Sequence, residues 1–307
     1  MDHIKKLRAI QEYSGKSQSE LAIVLGVSFP AFNAWINGKS KPRAKKEEKI
    51  NELYISYVGD KSISSNKVDQ QQEILQRLKT KYKNPFSLIY SRKDLYDSFL
   101  LAMTYNTNAI EGSTFNEPEV RAVLFDDITI VNKSVREHQE VKNHQGALAI
   151  VMNFLKNDNG KITEKFIKKI HSVLMNGIMH NGGQYRTHGV RIVGSGVVTV
   201  NYMSIEKSMK IFVNNLNKKP KDIVIHIAKT HSDFEKIHPF SDGNGRVGRL
   251  LMCILAFKYN LMAPVVQKGK KIAYYKYLEE SQLYNNDMLL VSFMYDSLSE
   301  GYKLLKD

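Results

Sequence analysis

Apolar residues return at three- and four-residue steps along most of the chain beyond residue 90, a spacing that lines one face of an α-helix and suits no strand. Leu95, Phe99, Met103, Thr107 and Ile110 share one such face, and Val141, Leu148, Val151 and Leu155 share another. Phe166, Ile170, Val173, Leu174 and Ile178 make a third, and Ile223, Ile227, Thr230 and Phe234 a fourth. One stretch breaks the pattern. Val190 to Val200 reads VRIVGSGVVTV, with β-branched residues on both sides of Gly-Ser-Gly, and predicts a β-hairpin. The expected fold is therefore all-α, a helical core with one small hairpin.

The polar stretch Gly59 to Gln72 is nearly empty of large apolar residues and predicts a linker between residues 1–58 and 73–307. With 307 residues, 42% of them hydrophobic, the chain can build one large core and a small module. In the first unit Ser17 and Glu20 form a capping-box pair ahead of Leu21, Val24 and Leu25, and Gly26 is the stop. Ser28 can cap a second helix that tolerates Pro30 in its first turn and runs to Ile36, before Gly38. Two short helices joined by a glycine-containing turn predict a helix-turn-helix.

A net charge of +14 favours polyanionic partners, either nucleic acid or nucleotide phosphates. The longest unbroken apolar run, Leu250 to Phe257, is far shorter than the roughly 20 residues needed to cross a bilayer. The charged start, Met1-Asp2-His3-Ile4-Lys5-Lys6, does not look like a signal peptide, and Cys253 is the single cysteine. A cytoplasmic protein with no membrane segment and no disulfide is expected. His226 and His231 lack the HExxH context of a zinc site.

The densest chemistry lies in His238 to Arg249, HPFSDGNGRVGR, which sets an imidazole, a carboxylate, an amide, glycines and two arginines between two helical patterns. Gly243, Asn244 and Gly245 open the second helix, whose first N–H groups attract phosphate. Asp242 beside that helix start would repel phosphate unless a cation sits between them, so it is the expected Mg2+ ligand. Arg246 and Arg249 are three apart and share a face that reaches the distal phosphates. His238 fits a general base, the alternative being a hydrogen-bonded core histidine.

These residues resemble the signature of the Fic family, HxFx(D/E)GNGRxxR, at every fixed position. The similarity reaches Asp233-Phe234-Glu235-Lys236-Ile237, Ile170-His171 and Gly183-Gln184-Tyr185-Arg186. It implies a Fic-fold core and a protein adenylyltransferase that moves AMP from ATP to a Ser, Thr or Tyr hydroxyl. His238 would then be the base, and Asp242 would hold Mg2+ on the α and β phosphates. Gly243, Asn244, Gly245 and Arg246 would form the anion site, with Arg246 and Arg249 on the distal phosphates. Relatives that transfer phosphate carry lysine at the position of Gly245.

A second resemblance lies upstream. Thr107-Asn108-Ala109-Ile110-Glu111-Gly112 is similar to the inhibitory motif (S/T)xxxE(G/N) of many Fic proteins. Glu111 falls at a predicted helix end, where the dipole disfavours a carboxylate, and the resemblance supplies Arg249 as its partner. The hairpin, with Val190, Arg191, Ile192 and Val193, corresponds to the family's target-docking flap, although Asn201-Tyr202-Met203-Ser204 replaces a proline pair found in many relatives.

Ser17 to Pro42 resembles the XRE and Cro/repressor DNA-binding family, which places Ser28, Phe29, Asn33 and the basic run Lys39, Lys41, Arg43, Lys45 and Lys46 toward DNA. The expected partners are a hydroxyl-bearing protein, DNA through the first unit, and a second copy of the chain. The rival readings are a transcription regulator whose Fic core senses nucleotide, and a hydrolase that removes AMP.

Overall fold

The computed structural model describes residues 2–58, 65–157, 160–192 and 194–306. The described residues divide into two compact units, residues 2–58 with Gly269–Tyr277 forming one and residues 65–268 with 278–306 the other. Among the described residues no strand is present, and no single helix is long and apolar enough to cross a membrane.

The first unit contains α1 (His3–Ser14), α2 (Gln18–Leu25), α3 (Phe29–Ile36) and α4 (Ala44–Tyr57). The predicted capping box is present, with Glu20 N donating to Ser17 Oγ at 3.2 Å and Ser17 N to Glu20 Oε2 at 2.8 Å. Gly26 ends α2 in the left-handed region at φ 66°, and the chain turns through 107° into α3. Ser28 is the N-cap of α3 but makes no side-chain cap, while Pro30 occupies the first turn. Leu7, Ile10, Leu21, Leu25, Phe32, Trp35 and Ile50 close a small core of their own.

The second unit holds α5 (Ser65–Lys81), α6 (Pro85–Ser91), α7 (Lys93–Glu111), α8 (Glu117–Phe125) and α9 (Val135–Asn157). It continues with α10 (Glu164–Leu174), α11 (Ile205–Leu216), α12 (Ile223–Ile237) and α13 (Asn244–Lys258), and ends with α15 (Met288–Lys303). The helix between them, α14 (Lys271–Tyr284), divides between the two units at Tyr277. The central helix is α13, buried along almost its whole length from Val247 to Phe257, so the longest apolar run of the sequence is core. The faces anticipated on α7 and α9 are buried throughout. On α10 Ile170 and Leu174 are buried while Phe166 and Val173 are half-buried and Ile178 lies beyond the helix, and on α12 Ile227, Thr230 and Phe234 are buried with Ile223 half-buried.

Two sequence expectations differ from the structure. The linker over residues 59–72 is helical from Ser65 onward; residues 59–64 lie outside the described set. Its polar composition hid a specific anchor, because buried Gln71 donates to Ser292 O at 3.1 Å and Asp296 Oδ1 at 2.7 Å and accepts from Ser292 Oγ at 2.8 Å. Among the described residues of 190–200 no strand or ladder forms, so the predicted β-hairpin is not seen there; Val193 lies outside them. The segment is held by other means. Thr199 Oγ1 donates to Val190 O at 2.9 Å, Gly196 N donates to Glu279 Oε1 at 2.6 Å, and Val200 N donates to Lys236 O at 3.2 Å.

Candidate active site

The site is built on the loop from His238 to Gly243, between the C-terminus of α12 and the N-terminus of α13. His238 ends α12 in the left-handed region at φ 50°, ψ 59°, a conformation that a non-glycine residue adopts at a cost. Its surroundings hold it there. Buried Arg186 threads its guanidinium among backbone carbonyls, donating to His238 O at 2.7 Å, His188 O at 2.7 Å and Val200 O at 2.6 Å. Asn244 closes the other end, accepting from Phe240 N at 2.9 Å and donating to Phe240 O at 2.8 Å. Its amide therefore shapes the loop and has both groups occupied.

His171 supports the loop from beneath, its ring stacked on Phe240 with centroids 3.7 Å apart. Nδ1 accepts from Gly183 N at 2.8 Å, which places the proton on Nε2 for Asp242 O at 3.0 Å. Burial pulls this imidazole down to about 4, so it stays neutral and keeps that tautomer.

The same reasoning fixes the tautomer of His238. His238 Nδ1 lies 3.1 Å from Glu235 O, and a carbonyl can only accept, so Nδ1 carries the proton and Nε2 is left as an acceptor. Burial is the main cause that lowers the His238 pKa below its ordinary value, with Arg186 acting in the same direction. The ring is neutral at pH 7 and competent to accept a proton.

On the phosphate side, Gly243 is the N-cap of α13 at φ 78° and supplies no side-chain cap, leaving the first-turn N–H groups to meet an anion. A Cβ on Gly245 would sit 2.5 Å from Glu111 Oε1 and 3.0 Å from Arg249 Nη1, so the space over this turn holds a carboxylate. That carboxylate ends α7, with Gly112 as C-cap at φ 108°. Glu111 Oε1 accepts from Arg249 Nη2 at 2.5 Å, and Arg249 Nε donates to Thr107 Oγ1 at 2.6 Å. Both residues of the upstream motif thus converge on one buried arginine.

Arg246, equally buried, pairs with Glu140 at 3.2 Å and with Asp242 at 3.5 Å. Asp242 accepts from Gly243 N at 2.6 Å and from Arg136 at 2.8 Å, and its side chain is 40% exposed. Among the described residues no group of three or more His, Cys, Asp or Glu side chains could hold a metal. One accessible carboxylate beside a phosphate cradle nevertheless fits magnesium, which is bound through one or two carboxylates plus substrate phosphates.

Residues 161–256 match the Fic/DOC family. The matched stretch includes the loop from His238 to Gly243 and the start of α13. The chain is 32% identical over 179 residues to Protein adenylyltransferase Fic of Aedes aegypti, covering 57% of this chain and 36% of that protein. It is 29% identical over 197 residues to Protein adenylyltransferase fic-1 of Caenorhabditis elegans, covering 62% and 38% respectively. The chain thus spans little more than a third of the length of these curated relatives.

A Fic domain-containing signaling protein of Bacteroides thetaiotaomicron superposes with a TM-score of 0.66 at 23% identity, over 75% of this chain and 95% of that one. Fic-1 of C. elegans superposes with a TM-score of 0.63 at 22% identity, over 84% and 80%. These likenesses are of fold.

Elsewhere in the second unit, Val190, Arg191 and Ile192 line a cavity of about 700 Å³ with Arg186, Thr199 and Tyr202. In the first unit Ser28, Phe29, Lys39, Lys41 and Arg43 are exposed, and Asn33 is half-buried with its amide on Gln18 Oε1 at 3.1 Å. Lys46, also in the basic run, instead closes the end of α2 by donating to Leu25 O at 2.7 Å and Gly26 O at 3.0 Å.

Sequence reasoning assigned no role to Arg186, Glu140, Arg136 or Glu235. Glu235 is buried, its Oε1 makes no hydrogen bond, and burial pushes its pKa up to about 8. The only available signal was position: Glu235 stands one turn before His238, in the extension of the family signature.

Proposed function

We propose that this chain is a protein adenylyltransferase that uses ATP with magnesium, modifies a Ser, Thr or Tyr hydroxyl of a protein or of itself, and is held back by Glu111. The observation that carries this reading is a neutral imidazole with Nε2 left as acceptor, one loop away from an uncapped helix start. Nε2 accepts the hydroxyl proton while the hydroxyl oxygen attacks the α-phosphorus. The bond from that phosphorus to the bridging oxygen of the β-phosphate breaks, and pyrophosphate departs.

The first-turn N–H groups of α13 and the guanidinium of Arg246 receive the charge that develops, each preorganised donor contributing about 3 kcal/mol. Gly243 and Gly245 leave room for phosphate to approach that backbone, and Asn244 keeps the loop in shape. Asp242 would hold magnesium, which when bound neutralises charge on the α and β phosphates. The cavity bordered by Val190, Arg191 and Ile192 receives the target segment. Glu111, supported by Thr107, keeps Arg249 from the γ-phosphate, since one guanidinium fork cannot serve both anions.

Labelling with radioactive ATP tests this reading. Glu111→Gly should label itself or proteins of a cell lysate faster than the native chain; equal labelling removes the inhibitory role, and none in either removes the transferase.

The first unit supports a second activity, a helix-turn-helix that lays α3 on DNA. Exposed Ser28 and Phe29 begin that helix and exposed Lys39, Lys41 and Arg43 follow it. Replacing these three basic residues by alanine should weaken DNA retention in a gel shift and flatten its salt dependence; unchanged retention contradicts it.

A further inference from the structure

Asp242 and Arg246 do not stand alone. Arg136, at the start of α9, donates from Nη2 to Asp242 Oδ2 at 2.8 Å and from Nε to Glu140 Oε1 at 3.2 Å. Glu140 in turn pairs with Arg246 at 3.2 Å, and Arg246 with Asp242 at 3.5 Å. Two acids and two arginines close a ring, with Arg136 on its exposed side at 57% and Arg246 on its buried side at 2%.

We propose that Arg136 is a second latch on the nucleotide site, occupying the Asp242 oxygen that a magnesium-bound triphosphate must take. The proposal rests on the adenylyltransferase reading above and adds to it a residue outside both sequence motifs. Asp242 Oδ1 accepts from Gly243 N and faces Arg246, so Oδ2 is the more open oxygen for a cation, and Arg136 lies against it. A guanidinium and a divalent ion drawn to that one oxygen repel each other, so Arg136 competes with the ion.

Arg136 has somewhere to stay when displaced, because its Nε bond to Glu140 does not involve Asp242. The latch is also anchored to the segment that follows Glu111. The neighbouring residue, Glu137, accepts from both Thr114 N and Thr114 Oγ1 at 2.8 Å, and Lys133 Nζ donates to Thr114 O at 2.7 Å. The start of α9 therefore touches the candidate metal carboxylate through Arg136 and the segment just after Gly112 through Glu137.

Calorimetric titration of the full chain with ATP, in magnesium and separately in EDTA, tests the latch. Arg136→Gln, with Arg136→Met as a second replacement should the first misfold, is expected to bind ATP about two- to fivefold tighter in magnesium, the worth of one partly exposed ion pair. Its affinity in EDTA should not improve. In an Asp242→Asn background, the Arg136 replacement should lose its effect in magnesium, because the cycle then has no pair to break.

Equal magnesium affinities of the native and Arg136→Gln chains would overturn the latch and leave the adenylyltransferase reading intact. Weaker binding by Arg136→Gln in both buffers would make Arg136 a phosphate ligand and likewise overturn it. No ATP binding by any variant in either buffer would remove both.

Discussion

The two halves of the loop from His238 to the start of α13 are held in opposite ways. On the base side, His238 is positioned by backbone: its Nδ1 meets a carbonyl, and its own carbonyl is fixed by Arg186. On the phosphate side every charged group already has an opposite charge against it: Arg249 with Glu111, Arg246 with Glu140, Asp242 with Arg136. In the proposed reading the base is therefore ready, and the anion site is occupied by the protein's own side chains. Control of such a site falls on nucleotide binding, where ion pairs are exchanged, and the proton acceptor needs no adjustment.

The sharpest way to break that contrast is His238→Ala. It should lower labelling by about 10²- to 10⁴-fold while leaving ATP affinity unchanged in a binding titration. A comparable loss of affinity would place His238 on the nucleotide side. Glu111→Gly should act in the other sense, raising the labelling rate by about 5- to 150-fold, the usual range of a coupling between sites. ATP affinity should rise with it, because the gain arises where Arg249 is freed.

Asn244→Ala tests whether the loop is held independently of its ligands. Losing both bonds to Phe240 should cost about 1–3 kcal/mol in denaturant unfolding, and an unchanged midpoint would contradict it.

A further effect is read through pH. Glu235 has a folded pKa raised to about 8 against an ordinary 4.5, so its contribution to stability is full below 4.5. It is lost as pH rises toward 8, where the unfolded chain is ionised and the folded one is still giving up its proton. Melting temperature should therefore fall across pH 4.5 to 8 in the native chain more than in Glu235→Gln; parallel curves would show that Glu235 is not held neutral.

Legibility in the sequence followed distance along the chain. His238, Asp242, Gly243, Asn244, Gly245, Arg246 and Arg249 were readable because twelve consecutive residues carry the loop and the helix start. Arg136 and Asp242 are 106 residues apart, and Arg186 and His238 are 52 apart, so their roles exist only after packing. Gln71 is the same case: its partners lie 221 and 225 residues away, and composition alone marked it as linker.

The β-branched run of 190–200 was misread for a related reason. Its propensity suits a strand, yet its stabilising bonds go to side chains and to Lys236 and Glu279, and tertiary context overrode local preference. Helical faces were legible because burial along α7, α9, α10 and α12 follows the 3.6-residue period.

A ready base beside a locked anion site is tested most directly by mass spectrometry of Glu111→Gly and of Glu111→Gly/His238→Ala. Each is incubated with ATP, magnesium and a cell lysate. The single variant should place AMP on Ser, Thr or Tyr side chains, and the double variant should place none while still binding ATP. Equal modification by the two, or AMP on no protein with either, would contradict it.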